Sequence, residues 1–431
     1  MSKTIITQFL SEQGMYYGDL NFETECQKFI AEMENGLSTK ESSLDMIPTY
    51  LSVKNNIQTN APAVVIDAGG TNFRVGLVTF DDHMKATISD FSKTKMPGIE
   101  RELSKKEFFG TLVDYTKDVA AKSTDIGFCF SYPTQINKDK DGLLLRWSKE
   151  VKAPEVVGEM IGANLVEGLK EVDGKNRSVA ILNDTVATLL GGKGITSERE
   201  FDGYIGFIFG TGTNMCYIEE SKNITKISDA QDETMIINTE SGAYNKLPRG
   251  VMDKVLDEAS NNPGDYQLEK MISGRYLGPL VQEVLKGAAK EGIFSDECNK
   301  KILDLTNLEL IDVSLFMAHP HNSENVLVKC VEDTTDTTLM YELIDAMIER
   351  AAKICAIKLS ACILKTGAGR DQARPVAIVA EGTTFYKLKD YRQKLDYYMR
   401  KYLSKNHGHY YEFIQGEDLN LIGTAIAALT H

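Results

Sequence analysis

The alternation of apolar and polar residues divides the chain into short extended runs and longer helical ones. Five apolar side chains recur at helical spacing: Phe22, Cys26, Phe29, Ile30 and Met33. Gly36 follows them and is expected to end this helix. In contrast, the segment 64–80 contains two extended apolar runs separated by Gly69 and Gly70. This pattern predicts a β-hairpin with a glycine-rich turn.

A second strand, turn and strand follow the same design further along the chain. Residues 204–209 and 215–219 are extended and apolar, and the turn between them reads G-T-G-T-N (210–214). The two units lie about 140 residues apart. Their repetition predicts an internal duplication of two similar lobes.

The other periodic segments alternate between strand and helix. Strand patterns occupy 126–130, 143–145, 179–182 and 375–380. Helical patterns occupy 108–119, 185–190, 250–285, 339–364 and 421–429. This alternation predicts an α/β protein, and hairpins beside helical crossovers predict mixed sheets.

Length and charge limit the classes of partner. A chain of 431 residues is long enough for about two domains. Its 48 Lys and Arg against 62 Asp and Glu give a formal net charge of −14, which argues against nucleic acid or an anionic membrane as the main partner. A site for a phosphorylated ligand must therefore rely on local donors.

The sequence also predicts a cytoplasmic location. The first ten residues lack the pattern of a signal peptide, and no stretch approaches 18 apolar residues. The seven cysteines include no C-x-x-C pair and are expected to be reduced thiols. No G-x-x-x-x-G-K-[ST] and no complete G-x-G-x-x-G after a strand occurs, which excludes a P-loop NTPase and the usual dinucleotide fingerprint.

Both glycine-rich turns are candidate phosphate-binding loops. Glycines let backbone N–H groups approach an anion, and polar side chains nearby add further donors. The candidate residues are Gly69, Gly70, Thr71, Asn72 and Arg74 in the first loop and Gly210, Thr211 and Gly212 in the second. Asp67 could hold a hydrated Mg²⁺. The alternative is an ordinary turn in each hairpin.

Polar residues that follow predicted strands are candidates for acid–base chemistry and for binding a polyol. Asp184 follows an apolar strand, and a carboxylate there can act as a general base, contributing roughly 10²- to 10⁴-fold. In this interpretation Thr185 can cap the next helix, and the alternative is that Asp184 is itself the N-cap and has no other role. The candidate polyol ligands are Ser131, Ser148, Lys149, Asn183, Asn214 and Glu240, although each could be an ordinary turn residue.

Taken together, these motifs resemble the hexokinase family of the eukaryotic type, within the actin-like ATPase superfamily. The resemblance runs from M-E-N-G-L (33–37) and M-I-P-T-Y (46–50) to G-T-A-I-A-A (423–428). It implies two actin-like (ribonuclease H-like) lobes with mixed sheets flanked by helices and a cleft between them. The expected small lobe comprises residues 62–186 and 418–431, and the large lobe comprises 1–61 and 187–417.

The resemblance also implies roles for individual residues. D-A-G-G-T-N-F-R (67–74) corresponds to the first phosphate loop and G-T-G-T-N to the second. Three sugar-binding motifs are matched by F-S-Y-P (130–133), W-S-K (147–149) and N-D-T-V (183–186). Asp184 is implied to be the catalytic base, and Lys149 to approach both the sugar and the transferred phosphoryl group. The implied sugar ligands are Ser131, Ser148, Lys149, Asn183, Asp184, Asn214 and Glu240. The adenosine turn is implied at 381–384, with Gly382 and Thr383.

Two departures from the family pattern concern the sugar site. After I-S-G-R-Y-L-G (272–278) the family usually has a Glu, where this chain has Pro279. Unless Glu283 or a neighbour compensates, one sugar contact is lost, which would weaken binding by roughly 1.5 to 3 kcal/mol. Ser241 stands where the family usually has Trp. Both changes put sugar selectivity in doubt.

The sequence therefore predicts an ATP-dependent hexose kinase of carbohydrate metabolism, such as glycolysis. It would transfer the γ-phosphoryl group of MgATP to a hexose hydroxyl, with O6 of glucose or a close aldohexose favoured. One alternative is a hexokinase-like sugar or nucleotide sensor with little turnover, and another is an actin-like ATPase without a sugar acceptor. The oligomeric state stays open.

Overall fold

The computed structural model describes residues 2–53, 57–147, 151–230 and 232–430. It is an α/β protein of two lobes, each containing one large mixed sheet flanked by helices. The strands are β1 (Ile47–Pro48), β2 (Pro62–Ala68), β3 (Asn72–Phe80), β4 (Ala86–Lys95), β5 (Asp125–Phe130), β6 (Thr134–Ile136), β7 (Gly142–Leu144), β8 (Ser178–Leu182), β9 (Gly203–Phe209), β10 (Thr213–Glu220), β11 (Thr234–Asn238), β12 (Val376–Glu381) and β13 (Tyr411–Ile414).

The α-helices cover the sheets and connect their parallel strands. They are α1 (Ser2–Glu12), α2 (Phe22–Gly36), α3 (Lys105–Ala120), α4 (Ile161–Asp173), α5 (Asp184–Ile195), α6 (Val251–Glu258), α7 (Gln267–Ile272), α8 (Gly274–Lys290), α9 (Asp296–Leu303), α10 (Leu310–Ala318), α11 (Thr334–Thr366), α12 (Thr383–Lys387), α13 (Tyr391–Met399) and α14 (Leu419–Leu429). The predicted helix over 22–36 is confirmed as α2, which ends at Gly36.

The five-stranded sheet has the order β4-β3-β2-β5-β8. Strands β2 and β3 form the predicted antiparallel hairpin, in which Asp67 is paired with Arg74. On the other side, β5 is parallel to β2 and β8 is parallel to β5. The carboxyl ends of these three strands therefore lie at one edge of the sheet.

The six-stranded sheet repeats this arrangement, with β1 added at one end of the order β1-β11-β10-β9-β12-β13. Its hairpin β9–β10 is antiparallel, and β12 runs parallel to β9. In each sheet, a hairpin and a third antiparallel strand lie on one side and two parallel strands lie on the other. This shared order is the one expected from two copies of the strand, turn and strand unit.

Two helices, α5 and α14, pack against each other beside both sheets. Their apolar residues form one cluster with Val65 and Cys129 of the five-stranded sheet and with Cys216 and Ile236 of the six-stranded sheet. The long helix α11 lies in the larger core with the apolar residues of β9 and β12. The start of α5 is thus held by both lobes.

The N-cap of α5 differs from the expectation. Asn183 has extended backbone angles, and its Oδ1 atom accepts a hydrogen bond from the Thr185 N–H at 3.0 Å. Asn183 is therefore the cap, and the interpretations that placed the cap at Asp184 or Thr185 are wrong. The amide of Asn183 reaches the first turn from just outside it, as an N-cap must, which leaves Asp184 inside the first turn.

All seven cysteines are buried thiols. Within the described ranges, no helix is both long and apolar enough to cross a membrane.

Candidate active site

The candidate residues gather where the parallel strands of the five-stranded sheet end. Asp67 lies near the end of β2, Ser131 follows β5, and Asp184 follows β8 across the cap residue Asn183. The strands are in register, and the Ser131 N–H donates to the Ala68 carbonyl at 3.3 Å. Residues far apart in sequence are therefore neighbours at one edge of the sheet.

In the first loop, side-chain donors stand beside an open turn. Arg74 Nη1 donates to Asp67 Oδ2 at 3.0 Å, while 40% of the Arg74 side chain stays exposed. Asn72 Nδ2 donates to Thr71 Oγ1 at 3.0 Å. A Cβ built on Gly69 would meet no atom within 4 Å. The turn therefore offers space and donors to an anionic ligand, as its sequence predicts.

Three carboxylates lie close together beside the first loop: Asp67, Asp184 and Glu381. Burial raises the pKa of Glu381, at the end of β12, and the charges of Asp184 and Asp67 raise it further. Thr188 Oγ1 donates to Glu381 Oε2 at 3.1 Å. Such a concentration of negative charge favours a bound cation, and oxygen donors are the ligands that Mg²⁺ prefers. Asp67 therefore fits the expected Mg²⁺ chemistry.

That fit depends on ligands from outside the chain. Across the described ranges, no three His, Cys, Asp or Glu side chains are grouped so that they could hold a metal by themselves. Mg²⁺ commonly binds through one or two carboxylates together with phosphate oxygens and water. The arrangement around Asp67 suits an ion that arrives with a polyphosphate.

Asp184 lies in the first turn of α5 and is partly buried. Its Oδ1 atom accepts a hydrogen bond from the Thr185 N–H at 2.9 Å. The N-terminal end of a helix carries partial positive charge and stabilises a carboxylate there. Asp184 is thus a fixed, partly exposed carboxylate next to Asn183, which suits a general base.

The second loop is held in place by contacts with the residues around Gly382 and with the start of α8. Gly382 has φ 122°, and a Cβ there would lie 2.2 Å from the Phe209 carbonyl oxygen, so only glycine allows this approach. Thr384 Oγ1 donates to the Gly210 carbonyl at 3.0 Å, and the Gly274 N–H donates to the same oxygen at 2.8 Å. The sequence-predicted adenosine turn, with Gly382 and Thr383, therefore lies directly beside Gly210, Thr211 and Gly212.

A network of amides and carboxylates lies beside the turn of this hairpin, where β10 begins. Asn214 Nδ2 donates to Asn238 Oδ1 at 2.8 Å and to Glu240 Oε1 at 3.3 Å. Asn238 Nδ2 also donates to Glu240 Oε1 at 2.8 Å. Burial raises the pKa of Glu240 to about 7, and the charge of Asp184 is among the smaller causes. The network thus brings the predicted Asn214 and Glu240 together, near enough to Asp184 for its charge to act on Glu240.

Three residues in this network were not predicted from the sequence: Asn238, Glu269 and Lys358. Glu269 Oε2 accepts a hydrogen bond from the Thr213 N–H at 3.0 Å, and its charge contributes to the raised pKa of Glu240. Lys358 reaches the same Thr213 from α11. The available signals were an acid just before the I-S-G segment and a lysine inside an apolar helical pattern.

Glu269 changes the interpretation of Pro279. Pro279 lies inside α8, one turn before Glu283, and its neighbour Gly278 packs closely against the start of α10. The acidic side chain beside Glu240 and Thr213 is Glu269, from α7. An acceptor is therefore present at this side of the site without any contribution from position 279.

Trp147 is the residue of the W-S-K motif that the structure describes. Trp147 packs edge-on against Tyr132, with ring centroids 4.9 Å apart, and its Nε1 donates to the Ala153 carbonyl at 2.8 Å. Trp147 is thus a neighbour of the F-S-Y-P motif. Ser148 and Lys149 lie outside the described residues.

Comparisons with known proteins identify the family. A family model described as Hexokinase matches residues 204–430, and a second with the same description matches residues 11–193. The chain is 30% identical to a glucokinase from Aspergillus niger, with 79% of each chain covered. It is 29% identical to hexokinase-1 from Schizosaccharomyces pombe, with 93% of this chain and 86% of that protein covered.

The chain belongs to the hexokinase family. A solved structure of a hexokinase from Schistosoma mansoni, complexed with glucose, matches 99% of both chains with a TM-score of 0.77 at 24% identity, which shows the hexokinase fold. Family membership identifies an enzyme that transfers a phosphoryl group from ATP to a hexose. The family, the fold class and the hexose kinase activity predicted from the sequence are all confirmed.

Proposed function

We propose that this hexokinase phosphorylates O6 of glucose or of a close aldohexose, with Asp184 as the general base. The proposal rests on one observation: two sets of polar residues, one from each sheet, lie at the site. Ser131, Asn183 and Asp184 follow strands of one sheet, and Asn214, Glu240 and Glu269 are linked through the other. A sugar held between them has acceptors and donors on both sides.

Asp184 would accept the proton of the attacking hydroxyl. It is fixed by the first turn of α5 and stays partly exposed, so an acceptor hydroxyl can reach it. A positioned carboxylate of this kind contributes roughly 10²- to 10⁴-fold to the rate. Lys149, by the family resemblance, would lie near both the sugar and the transferred group, and Ser148 would bind the sugar.

The two glycine-rich loops would hold ATP. Gly69, Gly70, Thr71, Asn72 and Arg74 would bind phosphate oxygens from one side, and Gly210, Thr211 and Gly212 from the other. Adenosine would lie by Gly382 and Thr383, where the second loop meets α12. Asp67 would hold Mg²⁺, which, when bound with ATP, neutralises charge on the phosphates. The open turn of the first loop and the partly exposed side chain of Arg74 support this placement.

We also propose that the lobes divide as 62–186 with 418–431, and 1–61 with 187–417, and that they close on the substrates. The five-stranded sheet spans 62–182, and β1 pairs with β11 of the other sheet, which supports assigning 1–61 to the large lobe. A cytoplasmic role in sugar metabolism, including glycolysis, is consistent with such an activity.

One assay tests the proposal. ADP release is measured with a panel of hexoses and with no sugar. Release that depends on glucose supports the proposal. Release without any sugar would indicate the ATPase alternative, and sugar binding without release would indicate a sensor.

Replacing Asp184 with Ala should lower turnover by roughly 10²- to 10⁴-fold. The helix keeps its cap, because Asn183 still accepts from Thr185, so the variant should fold. The fluorescence of Trp147, the single tryptophan, reports whether glucose still binds. Asp114→Ala, on the exposed surface of α3, is the control and should retain full activity. Turnover of Asp184→Ala within tenfold of wild type would contradict the assignment.

A further inference from the structure

Helix α11 contains a lysine that the proposed reaction does not use. Lys358 lies among apolar neighbours such as Ile357 and Leu359, and its side chain is fully buried. Lysine is almost never fully buried unless its ammonium group is paired. The partners of Lys358 therefore indicate why it is retained.

Those partners belong to the two segments that form one side of the active site. Lys358 Nζ donates to Thr213 Oγ1 at 2.6 Å and to Ser241 Oγ at 3.3 Å. It also lies 5.0 Å from the centre of the Phe207 ring. Thr213 and Ser241 are themselves buried. One ammonium group thus joins β10, directly after the second glycine-rich loop, to the turn that follows Glu240.

Each hydroxyl partner is next to a candidate ligand. The Thr213 N–H donates to Glu269 Oε2, and the Ser241 N–H donates to Asn214 Oδ1 at 3.1 Å. Asn214 in turn donates to Glu240. A change at Lys358 is therefore transmitted to Asn214, Glu240 and Glu269 through these hydrogen bonds. Lys358 acts on them through the hydroxyl groups of Thr213 and Ser241.

We propose that Lys358 is a positioning residue for the hexose-binding side of the site. By bonding to both Thr213 and Ser241, it fixes the distance between β10 and the turn 240–243, and so the orientation of Asn214, Glu240 and Glu269. The inference rests on the proposed function and assigns to this function a residue that does not touch the substrate.

The surroundings of Lys358 support this role. Burial lowers the pKa of Lys358 to about 8, and the titratable neighbours that oppose this shift are Cys355 on α11 and Glu269 on α7. The lysine is therefore still mostly charged at neutral pH, when its donors are most effective. The side chain of Ser241 is small and fully buried, and its hydroxyl lies 3.3 Å from the ammonium group.

The test replaces Lys358 with Met, which keeps the length of the side chain and removes its donors. Lys353→Met is the matched control, because Lys353 is a buried lysine of the same helix whose Nζ donates to the Tyr17 and Leu20 carbonyls, away from the site. The thermal midpoint, kcat, and the KM for glucose and for MgATP are measured for both variants. Loss of a charge-assisted positioning contact should raise the KM for glucose about tenfold or more with Lys358→Met.

The control distinguishes positioning from general destabilisation. Lys353→Met should change the KM for glucose less than twofold, whatever its thermal midpoint. A KM within twofold of wild type for Lys358→Met, or equal changes in the two variants, would overturn the proposal. Failure of the proposed function is recognised separately, because the wild-type enzyme would then not phosphorylate glucose. In that case the KM of each variant is compared with that of the wild type for the hexose that the enzyme does phosphorylate.

A second variant covers failure of Lys358→Met to fold. Ser241→Ala removes one acceptor of Lys358 and creates almost no cavity. Ser241→Ala should raise the KM for glucose about two- to fivefold, whereas Lys353→Met should change it less than twofold. An unchanged KM for glucose in Ser241→Ala would overturn the proposal in that case.

Discussion

Glu240 combines two features that are costly for stability and useful for binding. Its backbone has φ 53°, in the left-handed region that most residues avoid, and its carboxylate is placed among Asn214, Asn238 and Glu269. Burial raises its pKa to about 7 from 4.5. A strained backbone and a carboxylate whose ionisation is disfavoured by burial are expected together where a site must be ready to accept hydrogen bonds from a ligand.

Glu240→Gln should therefore stabilise the folded enzyme at alkaline pH. The pKa of Glu240 is raised in the folded state, so the native protein binds more protons than the unfolded chain between about pH 4.5 and pH 7. The stability of the wild type therefore falls as the pH rises through this range. The variant escapes this loss. Its gain in the free energy of unfolding should be about 2 to 3 kcal/mol larger at pH 8 than at pH 5.

Chemical denaturation of both proteins at the two pH values measures this difference. Glucose binding by the variant should be weaker at pH 8, because a carboxylate accepts stronger hydrogen bonds than an amide. An equal change in stability at pH 5 and pH 8 would show that Glu240 is not the group that titrates near pH 7.

At the scale of elements, the contact between α5 and α14 determines where the catalytic carboxylate lies. The two helices approach so closely that a Cβ on Gly423 would lie 1.8 Å from the Ala187 carbonyl oxygen. Asp184 begins α5, one turn before Ala187. Any change that separates the two helices is therefore expected to move Asp184.

Gly423→Ala should lower both stability and turnover. The added methyl group has no room beside a backbone oxygen, so α14 must shift, at a cost of about 1 to 3 kcal/mol or more. Gly110→Ala on α3 is the control, because a Cβ there meets nothing within 4 Å and alanine favours the helix by about 0.5 to 1 kcal/mol. Thermal unfolding should show opposite changes, and a stable, fully active Gly423→Ala would refute the close packing.

A second contact joins the residue before Trp147 to α7. Arg146, directly before Trp147, donates from Nη2 to Tyr266 Oη at 2.6 Å. Tyr266 is the N-cap residue of α7, the helix that contains Glu269. The bond therefore connects the two sides of the proposed sugar site.

Tyr266→Phe should raise the KM for the hexose about two- to threefold and leave kcat nearly unchanged. Arg146 is exposed, so the contact is screened by water and contributes little to overall stability. The effect on KM should change little as salt is added, because the Tyr266 hydroxyl carries no charge for salt to screen. Titration of the hexose at two ionic strengths checks this, and a change confined to kcat would contradict a role in holding the sugar site.

For the whole molecule, local patterns predicted the sheets but not the contacts between distant segments. Both hairpins were predictable because apolar alternation and glycine-rich turns are local signals. Glu269 and Lys358 were not, since they act on Thr213 from 56 and 145 residues away. The N-cap of α5 was misassigned because three adjacent polar residues, 183–185, are all able to cap a helix. The proposed roles of Ser148 and Lys149 still rest on the family resemblance.

Besides the cluster that they share through α5 and α14, each sheet packs against a core of its own, and this gives a final prediction. One apolar cluster includes β2, β5 and α3, and another includes β9, β12 and α11. If the hexose binds residues linked to both sheets, it should stabilise both cores together. At 100 times its dissociation constant, glucose should add about 2.7 kcal/mol to the free energy of opening of each.

Hydrogen exchange measured by mass spectrometry can follow β5 and β9 in the same sample. Glucose should slow exchange in both strands, and a hexose that is not phosphorylated should slow neither. In Glu240→Ala, protection should be reduced in both strands, because a sugar that loses its contacts on one side no longer links the two. Protection confined to β5 or to β9 would show that the hexose is held by one lobe alone, and the proposed closure of the lobes on the sugar would then have to be abandoned.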